Sequence, residues 1–417
     1  MHLATFSSLR YRDFRFLLGV TFFTSAGTWL QQVTFGWLVF EITESPLITG
    51  AALGATSLPY LFLGPVVGVV IDRVDRRLIL ILNHVVLAVT TTAFAVLVAT
   101  GLVERWWDPQ APWTAWPFFA FALAYGAAWS VGNPVRHALI ATVVPRAALL
   151  NAISLNSATF NAARIIGPAI GGLLIASFGP ATNFFLQAVM NLLLVAVVVP
   201  MRTPHVAVRH GGQEKPSFFA DFRAGVGYIF QHPPLPLLLL LAFVPSFFMW
   251  PFVQGLMPVF AKEAVETDAR GLGLLLASAG VGSLFGVLAL ASVGEVRRKG
   301  ALLLSFALFS SLGIVVFSQT SSLPVSAATL AVLGGTQMMY LAFSNTLVQT
   351  ITADEYRGRV LSLYMLEHGF ASAGSFMAGA LADRYGSPAA ILLAGLAAGT
   401  FLGFVSLRFR HLWRLDL

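Results

Sequence analysis

Long apolar runs, rather than alternating stripes, organise this chain. A helix needs about 20 apolar residues to cross a bilayer, and twelve runs of that order can be marked out. They cover Phe14–Phe40, Pro46–Ile71, Leu78–Val103, Ala115–Leu139, Leu149–Ala176, Ala181–Pro200, Pro236–Phe260, Gly271–Val293, Gly300–Ser318, Pro324–Leu347, Val360–Ala382 and Pro388–Leu407, with ends good to about 2–4 residues. A membrane barrel would show alternating segments of ~10 residues instead. The pattern predicts an all-α membrane protein with twelve transmembrane helices. The longest polar stretch, Met201–Leu235, divides it into an N-terminal six-helix half (1–200), a linker (201–235) and a C-terminal six-helix half (236–417). Within the linker, the stretch from Phe218 to Tyr228 has the composition of an interfacial amphipathic helix.

Composition agrees: 57% of residues are hydrophobic and only 10% charged, against about 25% charged in soluble domains. Lipid is the solvent that suits such a chain, at a mean hydropathy of +0.80. The net charge of +7 comes from 25 Lys and Arg against 18 Asp and Glu. The basic residues cluster in loops between apolar runs, so they set orientation rather than bind nucleic acid. Twenty of the 25, Arg136 among them, fall on one side. Arg105, Lys262, Arg270 and Arg384 fall on the other, and Arg164 lies inside a span. The imbalance predicts cytoplasmic termini and a cytoplasmic linker in a plasma (inner) membrane protein, expected to be a monomer. The absence of cysteine excludes disulfides and thiolate metal sites. The first apolar run is too long for a cleaved signal. No phosphate-binding loop, nucleophile elbow or metalloprotease motif is present, so neither an enzyme nor a cofactor is expected.

The two halves look alike. At an offset of about 208 residues Ile153-Ser154 aligns with Leu361-Ser362, Gly171 with Gly379, and Phe178-Gly179 nearly with Tyr385-Gly386. The stretch Gly68 to Arg77 resembles the major facilitator loop motif Gly-x-x-x-Asp-Arg-x-Gly-Arg-Arg. It matches at Gly68, Asp72, Arg73, Arg76 and Arg77, with Asp75 replacing the second Gly. Gly167-Pro168-Ala-Ile-Gly171-Gly172 resembles the end of the antiporter motif of exporters in that superfamily, with Ser154 and Ala163 at two upstream glycine positions. Gly379 to Gly386 resembles the loop motif again but falls on the external side; its cytoplasmic counterpart is the degenerate Glu295–Lys299. Together with Trp37–Pro46, Asn133–Arg136, Arg357–Val360 and Leu9–Arg15, these segments resemble the branch that includes the enterobactin exporter and the macrolide efflux proteins. The resemblance implies two six-helix halves related by an axis along the membrane normal, with spans one, four, seven and ten lining a central cavity. It also implies a cytoplasmic gate at Gly68, Asp72, Arg73, Arg76 and Arg77.

Ionisable residues inside a membrane are functional candidates. Arg164, one turn before the helix kink expected at Gly167, Pro168 and Gly171, and Glu367, two turns into the eleventh span, are the candidates for coupling. Arg164 is equally readable as a clamp on backbone carbonyls, and Glu367 as a carboxylate reaching the interface, since two turns is only ~11 Å. His84 is expected near an interface. Gln31, Gln32, Trp250, Gln254, Gln337 and Tyr340 are the candidates for the substrate cavity, an aromatic face with scattered amides. Any one of those aromatics could equally face lipid. The leading expectation is a proton-coupled exporter of amphipathic small molecules (a drug, macrolide or siderophore) working by alternating access. The alternatives are a lysophospholipid flippase and a non-transporting receptor or scaffold.

Overall fold

The structure, a computed structural model, describes residues 4–63, 74–200, 218–293 and 297–415. Its elements are α-helices throughout, interrupted by short 3-10 and π-helical turns. The first half contains α1 (Arg12–Thr43), α2 (Pro46–Ala55, its apolar run extending to Leu63), α3 (Arg76–Ala99), α4 (Trp116–Val143), α5 (Arg146–Phe178) and α6 (Pro180–Val198). A linker helix, Phe218–Gln231, precedes α7 (Leu235–Val244). The chain then passes through two π-helical turns, Pro245–Met249 and Pro251–Gly255, into a short helix, Met257–Glu263. There follow α8 (Ala269–Val293), α9 (Lys299–Ser318), α10 (Leu323–Ile351), α11 (Asp354–Met365), α12 (Glu367–Tyr385) and α13 (Ser387–Arg408). Among the described residues, nine helical stretches are long and apolar enough to cross a membrane.

Local chemistry sets the helix boundaries. Pro occupies the first turn of α2, α4, α6, α10 and α13, where its missing N–H costs nothing. Asp75, the departure from the loop motif, caps α3 by accepting from the Arg77 backbone N–H at 2.8 Å. Gly179 turns α5 into α6 and Gly386 turns α12 into α13, both at φ +81°, a conformation side chains resist. One end of the bundle therefore carries both termini; the far end carries the α1–α2, α5–α6 and α12–α13 connections.

Three apolar clusters fill the interior. One joins α7 to α13, from Leu238 and Phe260 to Tyr340 and Leu402. A phenylalanine cluster (Phe35, Phe94, Phe118, Phe121, Phe184) occupies the far part of the first half, and a third, around Phe14, Leu80 and Leu139, its terminal part. Outward-facing side chains such as Val89, Leu193, Phe285 and Phe309 are more than half exposed, which lipid but not water accommodates.

Two expectations need correction. Helix α4 continues through Pro134 to Val143, so Arg136 belongs to a helix and not to a loop; it is only 2% exposed. The expected eleventh span is two helices meeting at Leu366, which places Glu367 in the first turn of α12. His84, eight residues into α3, is fully buried, its Nδ1 2.9 Å from the Asn191 side-chain oxygen. The linker helix exists and docks on protein: Tyr228 stacks on Tyr356 at 4.2 Å, and its hydroxyl accepts from the Ala353 N–H at 3.0 Å. Of the loop motif, Gly68, Asp72 and Arg73 lie outside the described residues.

Candidate functional site

The two halves touch along α2–α12 and α5–α8, and small residues make the contact. A Cβ added to Gly50 would come within 3.0 Å of the Ser375 carbonyl and the Gly379 backbone; one added to Gly172 would meet Ala269 and Gly273 as closely. Backbones this near are the use of glycine in membrane helix pairs. The contacts concentrate at the far end. There the Ser45 hydroxyl donates to Asp383 Oδ1 at 3.3 Å and the Lys262 ammonium lies 5.2 Å from the centre of the Trp37 ring, while within the second half the Ser387 hydroxyl donates to Glu263 Oε2 at 2.8 Å. The far end is shut.

Midway along the bundle stands Arg164, 7% exposed on α5. Gly280 of α8 packs against its backbone. Its guanidinium carbon lies 5.2 Å from the Trp29 ring centre and 5.3 Å from that of Trp250. Trp29 comes from the first half and Trp250 from the second. Among the described residues no acid forms an ion pair with Arg164. Each cation–π contact supplies about 0.5–2 kcal/mol, while removing a charge from water costs several. The cage holds the cation without balancing it.

Trp250 belongs to the π-helical segment after α7. Pro245, Pro251 and Pro258 lack the N–H that each turn needs, which frees carbonyls four residues earlier. The carbonyl left by Pro245 is that of Leu241, and the Tyr340 hydroxyl donates to it at 2.6 Å. One turn before Trp250, Ser246 lies beside the Glu367 carboxylate. Glu367 is 4% exposed; its Oε2 has no hydrogen-bond partner among the described residues, and its Oε1 is 3.9 Å from His368 Nδ1. Glu367 and Arg164 are not paired, but both bear on one proline-broken segment.

The other expected residues are scattered. Gln31 and Gln254 are buried, Gln32 and Gln337 half-buried. Gln254 Oε1 and Gln337 Nε2 lack partners among the described residues. Tyr340, expected on the cavity face, is instead fully buried as the clamp on Leu241. Gly167 and Gly171 pack against Trp29 and Leu30 of α1, and Pro168 sits within an unbroken α5. Arg77 donates to the Val198 and Val199 carbonyls at the end of α6, tying that terminal end together. Sequence reasoning missed Trp29 and Ser246. Nothing local distinguishes them, whereas the three prolines of the broken segment stood in the sequence without being read as a series.

A helical bundle shut by glycine contacts at one end, with a broken helix and buried charges at mid-depth, is the architecture of a major facilitator transporter. The chain belongs to that superfamily's family of transmembrane secretion effectors, whose model matches residues 3–414. It is 24% identical to the multidrug efflux pump Tap of Mycolicibacterium fortuitum, covering 94% of each chain. It is 23% identical to macrolide efflux protein A of Streptococcus pyogenes over 90% of each, and 21% identical to the staphyloferrin A transporter of Staphylococcus aureus over 89% and 90%. In fold it is similar to the nucleoside transporter NupG, with a TM-score of 0.72 over 97% of this chain and 100% of that one at 12% identity. A bacterial homologue of the lysosomal transporter Spinster, solved inward-facing and unoccupied, gives 0.72 over 99% and 98% at 14% identity. The family is one of transporters, not enzymes.

Proposed function

We propose that this transporter exports amphipathic small molecules by alternating access between its two six-helix halves, driven by protons. The carrying observation is on the broken helix, at positions four residues apart: Ser246 lies beside Glu367, and the Trp250 ring centre is 5.3 Å from the Arg164 guanidinium carbon. A change at either charge is then felt by the same segment, which departs from regular α-helix through two π-helical turns. Discontinuous helices at mid-membrane are where transporters of several folds place their sites. Glu367 is the proton carrier in this reading, because the apolar pattern puts this acid inside a span and one of its carboxylate oxygens has no partner among the described residues. The cavity is read as lined by Gln31, Gln32, Trp250, Gln254 and Gln337.

Export takes its support from the efflux relatives. The 20-to-4 imbalance of basic residues favours both termini and the 201–235 connection in the cytoplasm. On this orientation the sealed far end is external. The cytoplasmic gate falls to the loop motif, with Arg76 and Arg77 its described members.

Glu367→Gln tests the proposal in reconstituted vesicles. Gradient-driven transport should be lost, while substrate exchange without a gradient continues. Full proton-driven transport by this variant would remove Glu367 from coupling.

A further inference from the structure

We propose that Arg164, Trp29 and Trp250 form an anion-binding subsite at the centre of the bundle, and that the transported molecule carries a carboxylate or comparable anionic group beside an apolar portion. This rests on reading the bundle centre as the substrate's route. A guanidinium does not lose its proton in a protein, and a buried charge calls for an opposite charge or a full set of acceptors. Arg164 has neither among the described residues: no carboxylate lies within ion-pair distance, and its recorded neighbours are two indole rings. Glu367, the buried acid of the other half, bears on Ser246 instead.

A second donor stands beside it. Trp29 is 8% exposed, and its buried Nε1–H has no acceptor among the described residues. Two unanswered donors thus belong to one neighbourhood, the guanidinium 5.2 Å from the Trp29 ring centre, and a guanidinium takes the oxygens of a carboxylate two at a time. The indole rings lie 6.3 Å apart at 43°, a wedge open enough for a ligand's apolar part to rest against them, and Phe160 extends the wall 6.2 Å from Trp29. A cationic amphiphile would be repelled.

The arrangement also gives binding a consequence. Trp250 belongs to one half, Arg164 and Trp29 to the other, so the cage is complete only while the halves approach around it. An empty cage buries a net positive charge each time they close. A loaded one buries a neutral pair, so the substrate lowers the cost of the very movement that carries it.

The test uses the full chain in lipid nanodiscs and energy transfer from tryptophan to two probes, 9-anthraceneacetate and its neutral amide. Wild type should bind the carboxylate about tenfold more tightly, equivalent to about 1.4 kcal/mol. Arg164→Gln should erase the difference. Arg164→Lys, which keeps charge but loses the fork, should retain part of it. If Arg164→Gln does not fold, Trp29→Phe keeps the ring and removes the N–H; carboxylate affinity should fall and amide affinity hold. Absence of a carboxylate preference in wild type, whether both probes bind or neither, overturns the proposal. So does a preference that survives in folded Arg164→Gln, or unchanged carboxylate binding in Trp29→Phe. Binding without transport in vesicles would count against the transport reading alone, so the two failures separate.

Discussion

The far end of the bundle and its centre are built to opposite rules. At the far end, backbone meets backbone across Gly50, Gly172, Gly273 and Gly379, and Ser45, Glu263, Asp383 and Ser387 find partners. At the centre, Trp29 Nε1, Gln254 Oε1, Gln337 Nε2 and Glu367 Oε2 are buried without any among the described residues. Buried polar groups are normally satisfied. Across the halves the far-end contact is closed by protein groups alone, whereas these four atoms at the centre are left without a partner, and that difference separates a seal from a receptacle.

The sharpest way to break this comparison is to fix the seal. The chain has no cysteine, so a pair can be introduced without altering anything else. Ser45→Cys with Asp383→Cys places thiols where a hydroxyl and a carboxylate already sit 3.3 Å apart. Crosslinking should stop transport completely, and reductant should restore it. Normal transport by the crosslinked protein would mean that the far end never opens.

A weaker perturbation is Gly172→Val. Its side chain would collide with the Ala269 carbonyl and Gly273, and overpacking of this kind costs about 1–3 kcal/mol. If that cost falls on the sealed state alone, the balance shifts toward far-end opening by roughly 5- to 150-fold. A membrane-impermeant maleimide applied from that side should label Ser375→Cys faster in the valine background. Unchanged labelling would show that the glycine contact is incidental to closure.

What could be read in advance follows the range of the interactions. Apolar length is local, so membrane insertion, most of the spans and the superfamily were legible. Asp75 looked like a flaw in a motif and turned out to be a helix cap, which its position before an apolar run could have suggested. Arg136 was counted among the loop charges although it falls inside the fourth apolar run, and α4 does continue past it to Val143. The Arg164 cage could not be foreseen, since Trp29 and Trp250 are joined to it only by tertiary packing. The broken helix was there to be read: Pro245, Pro251 and Pro258 fall within one apolar run, but they were not taken as a series.

The smallest expected effect separates the two rules within a single residue. Tyr340 was expected to line the cavity but serves as a clamp. Pro245 cannot supply an N–H to the Leu241 carbonyl, and the Tyr340 hydroxyl supplies the hydrogen bond instead. Tyr340→Phe keeps the ring and leaves that carbonyl orphaned in an apolar core, a loss of about 1–3 kcal/mol. Thermal unfolding in detergent should therefore move down by a few degrees, roughly in line with that loss, while the substrate concentration for half-maximal transport stays the same. The opposite pattern, unchanged stability with a changed substrate dependence, would return Tyr340 to the cavity. It would also mean that the proline-broken segment holds its shape without help from α10, leaving Glu367 and Arg164 bearing on a rigid element and not on one that yields.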